Sequence, residues 1–188
     1  MEQIREYFER TVKLTDEDWL FFSSKLIRQE FPAKYVVLKE KQTELYLSYM
    51  ETGIIRFFMP GEENDLTFSF AFANGFVSAY DSFLTQQPAT YVVETLAPAV
   101  LWRITYNDLQ EVYRKTAVGN IIGRHASEDL FLKKSKRELS LLNESAEERY
   151  LKLLQEQPEL IQQIPLKYIA SYIGITPQAL SRIRRRIS

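Results

Sequence analysis

One stretch near the carboxyl end constrains the fold more than any other: PLKYIASYIGITPQALSRIRRRI, residues 165–187. Its first part has apolar residues at helical spacing, namely Leu166, Ile169, Ala170 and Ile173. Gly174 can adopt the left-handed conformation that ends a helix, and Thr176 followed by Pro177 suits the start of another. The stretch therefore predicts two short helices joined by a tight turn, with Ile175 as a buried apolar plug between them.

The second predicted helix has two chemically different sides. Its apolar stripe consists of Leu180, Ile183 and Ile187. The side chains left facing outward are Gln178, Ser181, Arg182, Arg185 and Arg186. An apolar-backed helix with arginines and an amide on its free face is typical of a helix that reads the major groove of DNA. The two helices together would then form a helix-turn-helix.

The charge distribution agrees with binding to phosphate at one end of the chain. Residues 165–188 hold five of the 24 basic residues and none of the 25 acidic ones, which leaves 19 basic residues on the first 164. That part of the chain is therefore acidic, with a net charge of −6. An acidic body with a basic tip fits a partner rich in phosphate. The alternatives are a solvated basic helix, or a tail that binds RNA or a membrane.

Composition excludes several kinds of chemistry. The chain has no cysteine and a single histidine, His125. The absence of cysteine excludes disulfides, thiol catalysis and cysteine-held zinc or iron–sulfur sites. The single histidine argues against most metal sites and histidine-based triads, and a metal-binding barrel enzyme would need clustered histidines. We expect no cofactor, no metal and no catalytic residues. The first residues lack an apolar signal core and no stretch is long enough to span a membrane, so we expect a cytoplasmic protein without a membrane partner.

The order of patterns along the chain predicts an α+β protein. Residues 1–30 read as helical, with Thr15 as a cap. Between residues 34 and 105, short β-rich runs alternate with turn residues: YVVLK, ELYLSYM, IIRFFM, LTFSFAF, TYVVETL and VLWRI. Regular short strands with turn signals indicate a small antiparallel barrel or sandwich. Its dense aromatic residues are interpreted mainly as core.

The remainder of the chain is predicted to be helical. A short helix covers 108–113, and a long one runs from about Ala117 to Leu142. Ser145 then begins a helix with a capping-box pattern, and Pro158 to Gln163 is interpreted as a connection. A long helix between a barrel and a DNA reader is well placed to pair with its copy. We predict three parts: a barrel domain (1–116), a dimerisation helix (117–142) and a helix-turn-helix domain (143–188). The residues assigned to the dimer helix are Val118, Ile121, Ile122, His125 and Leu132.

A helical cap, a β-barrel, a long helix and a C-terminal helix-turn-helix, in that order, resemble the cyclic-AMP receptor protein and fumarate–nitrate regulator (Crp/Fnr) family of bacterial transcription factors. The strongest parts of the resemblance are IASYIGITPQALSRIRRRI and LWRITYNDLQEVY, residues 101–113. The resemblance implies a cyclic-nucleotide-binding-type jelly-roll barrel that senses a ligand and a homodimer that reads a palindromic operator in double-stranded DNA. It also implies RNA polymerase as a candidate partner and an unknown small-molecule effector.

The resemblance assigns roles to residues of the predicted reader. Base contacts are expected from Gln178 and Arg182, because glutamine suits adenine and arginine suits guanine. Phosphate contacts are expected from residues around them: Thr176, Ser181, Arg185 and Arg186. Lys167 and Tyr168, at the start of the first helix, would add backbone contacts. The family usually continues into a β-hairpin wing, whereas this sequence stops at Ser188; we expect either a branch without that wing or a chain cut there.

The family's ligand-binding pattern is not present. Cyclic-nucleotide members have a Gly-Glu pair and then an arginine followed by a small hydroxyl residue. Here Ser78-Ala79 and Ala89-Thr90 align with those pairs, and residues 75–91 contain no lysine or arginine. Burying a phosphate without a cation is costly, so we expect that cyclic AMP does not bind in the usual way. The absent cysteines exclude the family's iron–sulfur sensor, and a single histidine in the long helix argues against a haem version.

Two alternatives stay open at this point. The polar segment of the barrel could line a pocket for an uncharged or cationic ligand, or the barrel could be filled by its aromatic residues. The pocket residues would be Asn74, Gly75, Ser78, Ala79, Tyr80, Ser82, Thr85, Thr90 and Tyr91. The whole chain could also be a ligand-binding or protein-interaction module whose C-terminal helices bind a protein rather than DNA.

Overall fold

The computed structural model describes residues 1–156 and 158–187. The helices in this part of the chain are α1 (Glu2–Glu9), α2 (Asp16–Ser23), α3 (Tyr80–Thr85), α4 (Tyr106–Lys115), α5 (Gly119–Asn143), α6 (Ala146–Glu156), α7 (Pro158–Gln163), α8 (Leu166–Ile173) and α9 (Pro177–Ile187). The strands are β1 (Ile27–Phe31), β2 (Val36–Leu38), β3 (Tyr46–Thr52), β4 (Ile54–Met59), β5 (Leu66–Phe72), β6 (Gly75–Val77), β7 (Val92–Thr95) and β8 (Ala99–Thr105). The predicted α+β class is confirmed.

The strands form two four-stranded sheets, as expected for a jelly-roll type of barrel. The strand order is β1-β8-β3-β6 in one sheet and β2-β7-β4-β5 in the other. The assigned pairs are antiparallel; in the first sheet, Ser48 of β3 lies opposite Arg103 of β8. When one face of an antiparallel sheet packs on the core and the other faces solvent, apolar and polar residues alternate along each strand, and the sequence shows this alternation.

The prediction of helix for residues 1–30 is wrong at its end. Thr15 caps α2 as predicted, with its hydroxyl accepting from the Asp18 N–H at 3.1 Å. However, α2 ends at Ser23, and Ile27–Phe31 is a strand paired with β8. Strand formation here depends on a partner more than 60 residues away, and no local pattern announces it. The structure also adds α3, β6 and α7 to the predicted elements.

The chain divides into two compact units. One consists of Met1–Phe57 with Phe70–Asp129, and the other of Phe58–Ser69 with the chain from Leu130 onward. The division falls inside α5, so the predicted domain boundaries at residues 116 and 142 remain predictions. Within the described residues, no helix is long and apolar enough to cross a membrane.

The core of the first unit lies where its helices cover the sheet. Buried side chains from α1 and α2 meet those of β3, β8 and α4: Ile4, Phe8, Phe22, Tyr49, Ile104, Leu109 and Val112. The Phe8 and Phe22 rings pack edge-to-face with their centroids 5.2 Å apart, a geometry that aromatic pairs favour. Ten buried residues form this cluster, so the two N-terminal helices are part of the barrel's core.

The start of α5 is held closely against α4. A Cβ added at Gly123 would lie 2.8 Å from the Tyr113 hydroxyl oxygen, so a larger residue would require the Tyr113 ring to shift. Burial raises the pKa of the Tyr113 hydroxyl to about 12. Val118 is buried in the core cluster, and Ile122 packs against it. The first turns of α5 are therefore anchored within their own unit.

Candidate nucleic-acid interface

The predicted helix-turn-helix is present as α8 and α9, in the second unit. Gly174 ends α8 with φ of 81°, in the left-handed region, and its N–H donates to the carbonyls of Ala170 and Ser171. The Thr176 hydroxyl accepts from the Ala179 N–H at 3.2 Å, so it caps α9 as predicted. Residues 174–177 therefore adopt the capping geometry that the sequence predicts.

The two helices share a small apolar core. Ile169, Ala170, Ile173 and Leu180 are 0–1% exposed. The predicted apolar stripes extend too far, because Leu166 and Ile187 are exposed, and Ile175 and Ile183 are only half-buried. In a short helix, only the central turn lies against the apolar core, so side chains of the first and last turns remain in contact with solvent. The orientation of α9 is consequently fixed mainly by Leu180, near its amino end.

Two arginines outside the predicted site fix the end of α8. The Arg149 Nε donates to the Ile173 carbonyl at 2.9 Å, and its Nη1 donates to the Glu144 carbonyl. Arg137 donates to the Tyr172 carbonyl while its guanidinium lies 3.8 Å from the centre of the Tyr172 ring. The last carbonyls of a helix have no partner within the helix, and cations stabilise that end. The pattern at 174–177 carried no signal for these contacts, which join residues 24 and 35 positions apart.

Replacing Arg149 with methionine should destabilise the second unit by about 1.5–3 kcal/mol, the usual loss for hydrogen bonds from a charged group. Hydrogen exchange at the α8 and α9 amides, with chemical unfolding followed by circular dichroism, measures the loss. Lys134→Met, on an exposed part of α5, is the control and should behave as wild type. Unchanged protection of α8 in Arg149→Met would contradict the role given to Arg149.

The outer side of α9 carries the predicted reading residues. Gln178, Ser181, Arg182 and Arg185 are exposed, as are Thr176 and Lys167. The Ser181 hydroxyl donates to the Pro177 carbonyl at 3.0 Å. Since Leu180 is buried and Gln178 and Arg182 flank it at two residues on either side, α9 presents an amide and a guanidinium away from its core. Both side chains are therefore accessible to a partner, and their contacts to bases stay a prediction.

Arg186 is not free to bind phosphate without a change of partner. Its guanidinium forms an ion pair with the Glu147 carboxylate of α6. The pair is substantially exposed, and ion pairs of this kind contribute little to stability. Phosphate oxygens can therefore compete with Glu147 for Arg186. At the start of α8, the Lys167 ammonium lies 4.9 Å from the Tyr168 ring centre.

Four of the hydroxyl groups predicted to line a ligand pocket, those of Ser78, Ser82, Thr85 and Tyr91, are hydrogen-bonded to other residues of the first unit. In the first unit, the Ser78 hydroxyl donates to the Tyr46 carbonyl at 2.9 Å, and the Thr85 hydroxyl to the Asp81 carbonyl at 2.7 Å. The Tyr91 hydroxyl donates to the Asp81 carboxylate, and Ser82 bonds the backbone at both Glu44 and Gln87. Tyr80 stacks on Phe83, Ala79 is buried, Thr90 is exposed, and Asn74 has a positive φ before Gly75.

An apolar cavity in the first unit lies elsewhere. It has a volume of about 40 Å³ and is lined by residues of α1, α2, α4 and the start of α5, including Phe8, Trp19 and Val112. It shares no residue with the predicted pocket. A volume of this size is small for an effector, and its walls are core side chains. Among the described residues, no group of three histidine, aspartate or glutamate side chains could hold a metal ion.

The later part of α5 has an exposed apolar stripe. Phe131, Leu132, Leu139 and Leu142 are each more than half exposed. At 3.6 residues per turn, Leu132 and Leu139 point in nearly the same direction, as do Phe131 and Leu142, about a quarter-turn away. In the earlier part, Ile121 and His125 are exposed, and His125 Nδ1 lies 3.5 Å from Glu128. Large apolar side chains exposed in a row mark an interaction surface.

The fold of this chain, in which a jelly-roll barrel, a long helix and a helix-turn-helix follow one another, is similar to that of solved Crp/Fnr-type proteins. The resemblance predicted from the residues is thereby confirmed for the fold. No family model matches the sequence, and a search of curated proteins by sequence finds no relative. The similarity is therefore visible in structure rather than in sequence.

Solved structures similar to this chain include three bacterial proteins. CLP, a c-di-GMP-responsive global regulator of Xanthomonas campestris, has a TM-score of 0.73 at 16% identity, over 92% of this chain and 91% of CLP. A protein from Eubacterium rectale described as a Crp/Fnr-family transcriptional regulator has a TM-score of 0.74 at 16% identity, over 96% and 87%. FixK2 from Bradyrhizobium japonicum has a TM-score of 0.74 at 12% identity, over 86% and 84%.

Proposed function

We propose that the chain is a homodimeric, sequence-specific DNA-binding regulator of transcription. The observation that carries the proposal is the exposed outer face of α9, where Gln178 and Arg182 lie on either side of the buried Leu180. Gln178 would bind adenine and Arg182 would bind guanine, each through two hydrogen bonds to the base edge. The Crp/Fnr-type fold supports the same conclusion, because it places such a helix after a sensor barrel.

Phosphate contacts in this proposal surround the base-reading residues. Thr176, Arg185 and Lys167 are exposed and can donate to phosphate oxygens. Ser181, Arg186 and Tyr168 complete the set, with Arg186 exchanging Glu147 for a phosphate. Contacts of this kind position the protein on the duplex and carry no sequence information.

Dimerisation through α5 would bring two readers onto one operator. The exposed side chains of Phe131, Leu132, Leu139 and Leu142 would be buried against the same stripe of a second copy. Val118 and Ile122 pack in the core of the first unit. Of the predicted dimer residues, Ile121, His125 and Leu132 therefore remain accessible to a second copy. Two-fold symmetry then predicts half-sites about one helical turn apart.

The barrel in this proposal does not respond to cyclic AMP in the usual way. The segment aligned with the nucleotide cassette has no cation, and the hydroxyl groups of Ser78 and Thr85 are bonded within the chain. The regulator would act on transcription through RNA polymerase, as the fold type implies.

The proposal predicts strongly salt-dependent binding to duplex DNA. If a dimer neutralises six to ten phosphates, affinity should fall by roughly 10³–10⁵ between about 50 and 200 mM salt. Fluorescence polarisation with a labelled random duplex across a salt series measures the slope. Arg185→Gln removes one phosphate contact per subunit and should make the logarithmic slope shallower by about two per dimer.

A protein-interaction module would give a different result. If the C-terminal helices bind a protein instead of DNA, the duplex should bind weakly and without a slope. A control variant, Lys13→Gln, changes an exposed cation of the first unit by the same charge. An equal loss of slope in Lys13→Gln and Arg185→Gln would mean that general charge, rather than the outer face of α9, attracts the duplex.

A further inference from the structure

A buried carboxylate lies beside the segment that aligns with the nucleotide cassette. Glu44, just before β3, is 5% exposed. Its Oε1 accepts from the Tyr46 N–H at 3.0 Å. Its own N–H donates to the Ser82 hydroxyl at 3.0 Å. Glu44 is therefore bonded to β3 through its carboxylate and to Ser82, in the segment aligned with the nucleotide cassette, through its own N–H.

A buried cation faces this carboxylate. The Arg103 Nη2 lies 3.5 Å from the Glu44 Oε1, and both side chains are at most one-tenth exposed. The Arg103 Nη1 donates to the Gln29 side chain at 2.7 Å, and its guanidinium lies 3.9 Å from the centre of the Tyr46 ring. Among the described residues, its Nε has no hydrogen-bond partner. Arg103 therefore retains capacity for a further acceptor.

Stability alone does not explain such a pair. Removing two charges from water costs several kcal/mol for each ion, and packed apolar residues often serve equally well. Burial is the main cause that raises the pKa of Glu44 and lowers the pKa of Arg103. Both ions are thus held despite the cost of removing them from water, and Glu44 is bonded there to Ser82 of the segment 75–91.

We propose that Glu44 is an internal ligand of the barrel: its carboxylate takes the place of an anionic effector, with Arg103 from β8 as the counter-charge. Residues 75–91 contain no cation; Arg103 of β8 supplies one, and it is already paired with Glu44. Small anionic effectors are consequently excluded from the wild-type barrel. Truncating Glu44 opens a site for a small carboxylate. The proposal concerns the first unit and does not depend on DNA binding.

The test uses acetate as the probe and the variant Glu44→Ala. Both tryptophans of the chain, Trp19 and Trp102, are in the first unit, so their fluorescence follows its thermal unfolding. Glu44→Ala should unfold several degrees below wild type in sodium chloride, because Arg103 is left buried and unpaired. Sodium acetate at equal ionic strength should raise that temperature in a saturating manner. Wild type should unfold at the same temperature in both salts.

Two variants separate anion binding from general effects. Glu44→Gln keeps the side-chain volume without the charge, so it should be destabilised and should not respond to acetate. The double variant Glu44→Ala/Arg103→Met removes the counter-charge and should also not respond. Glu40→Ala, an exposed glutamate of the same segment, is the matched control and should match wild type. If Glu44→Ala does not fold in chloride, its refolding yield should recover in acetate, whereas the yield of the double variant should be the same in both salts.

Several results would overturn the proposal. One is an acetate response of equal size in wild type and Glu44→Ala. Another is an acetate response that persists in the double variant, since Arg103 could not then be the counter-charge. A third is a Glu44→Ala protein whose unfolding temperature or refolding yield is insensitive to acetate.

Discussion

Replacing Leu132 and Leu139 with glutamate is expected to convert a dimer into a monomer and to weaken operator binding by about 10²- to 10⁴-fold. Leu132 is 66% exposed and Leu139 is 55% exposed, and they lie seven residues apart on one side of α5. In the proposed dimer, the four added carboxylates would be buried against one another, which is strongly unfavourable. A monomer binds one half-site and loses the avidity that comes from linking two readers.

Analytical ultracentrifugation gives the mass, and fluorescence anisotropy with a palindromic operator gives the affinity. The control is Lys134→Glu, an exposed position on nearly the opposite side of α5 from Leu132. It should remain a dimer, although it also adds negative charge. Circular dichroism should give the same helix content for both variants. A Leu132→Glu/Leu139→Glu protein that stays dimeric would place the dimer interface elsewhere.

Replacing Arg182 with alanine should cost about 1–3 kcal/mol for each half-site, which is roughly a 5- to 150-fold loss of half-site affinity. The arginine would hold guanine O6 and N7 through two hydrogen bonds, and alanine can make neither. Base preference should be lost at one position of the half-site and kept at the others. Anisotropy titrations against operators with single base changes measure both the affinity and the preference.

Arg182→Lys is the informative control for this prediction. Lysine keeps the charge but not the planar fork that binds guanine at two points. It should therefore retain the salt slope of wild type and lose most of the preference at that base. Were Arg182→Ala to bind every operator as tightly as wild type, α9 would not be the reading helix.

Local chemistry accounts for the parts of the molecule that could be predicted. The turn between α8 and α9 follows from Gly174, Thr176 and Pro177, each of which acts on its nearest neighbours. The sequence predicts a connection at Pro158 to Gln163, yet Pro158 is the first residue of α7, a position that favours proline. Proline alone does not distinguish the two, because it suits both the residue after one helix and the first residue of the next.

The contacts that complete the sites join distant residues, and for that reason they could not be predicted. Glu44 and Arg103 are 59 positions apart, and nothing near Glu44 distinguishes it from a solvated turn acid. Arg149 reaches the end of α8 only after α6 packs beside it. The sequence shows directly that residues 75–91 contain no cation. That Arg103 of β8 takes this place could not be predicted, because it depends on the pairing of β3 with β8.

One hydroxyl group of α8 has a consequence for strand pairing between molecules. Within the second unit, the Ser171 Oγ accepts from the Thr67 N–H and donates to the Asp65 carbonyl, each at 2.8 Å. β5 is the last strand of its sheet, so its outer backbone groups could template a strand from another chain. Ser171 satisfies a donor and an acceptor there at once. At these two backbone groups of β5, the Ser171 side chain therefore occupies the position that a strand from another chain would need.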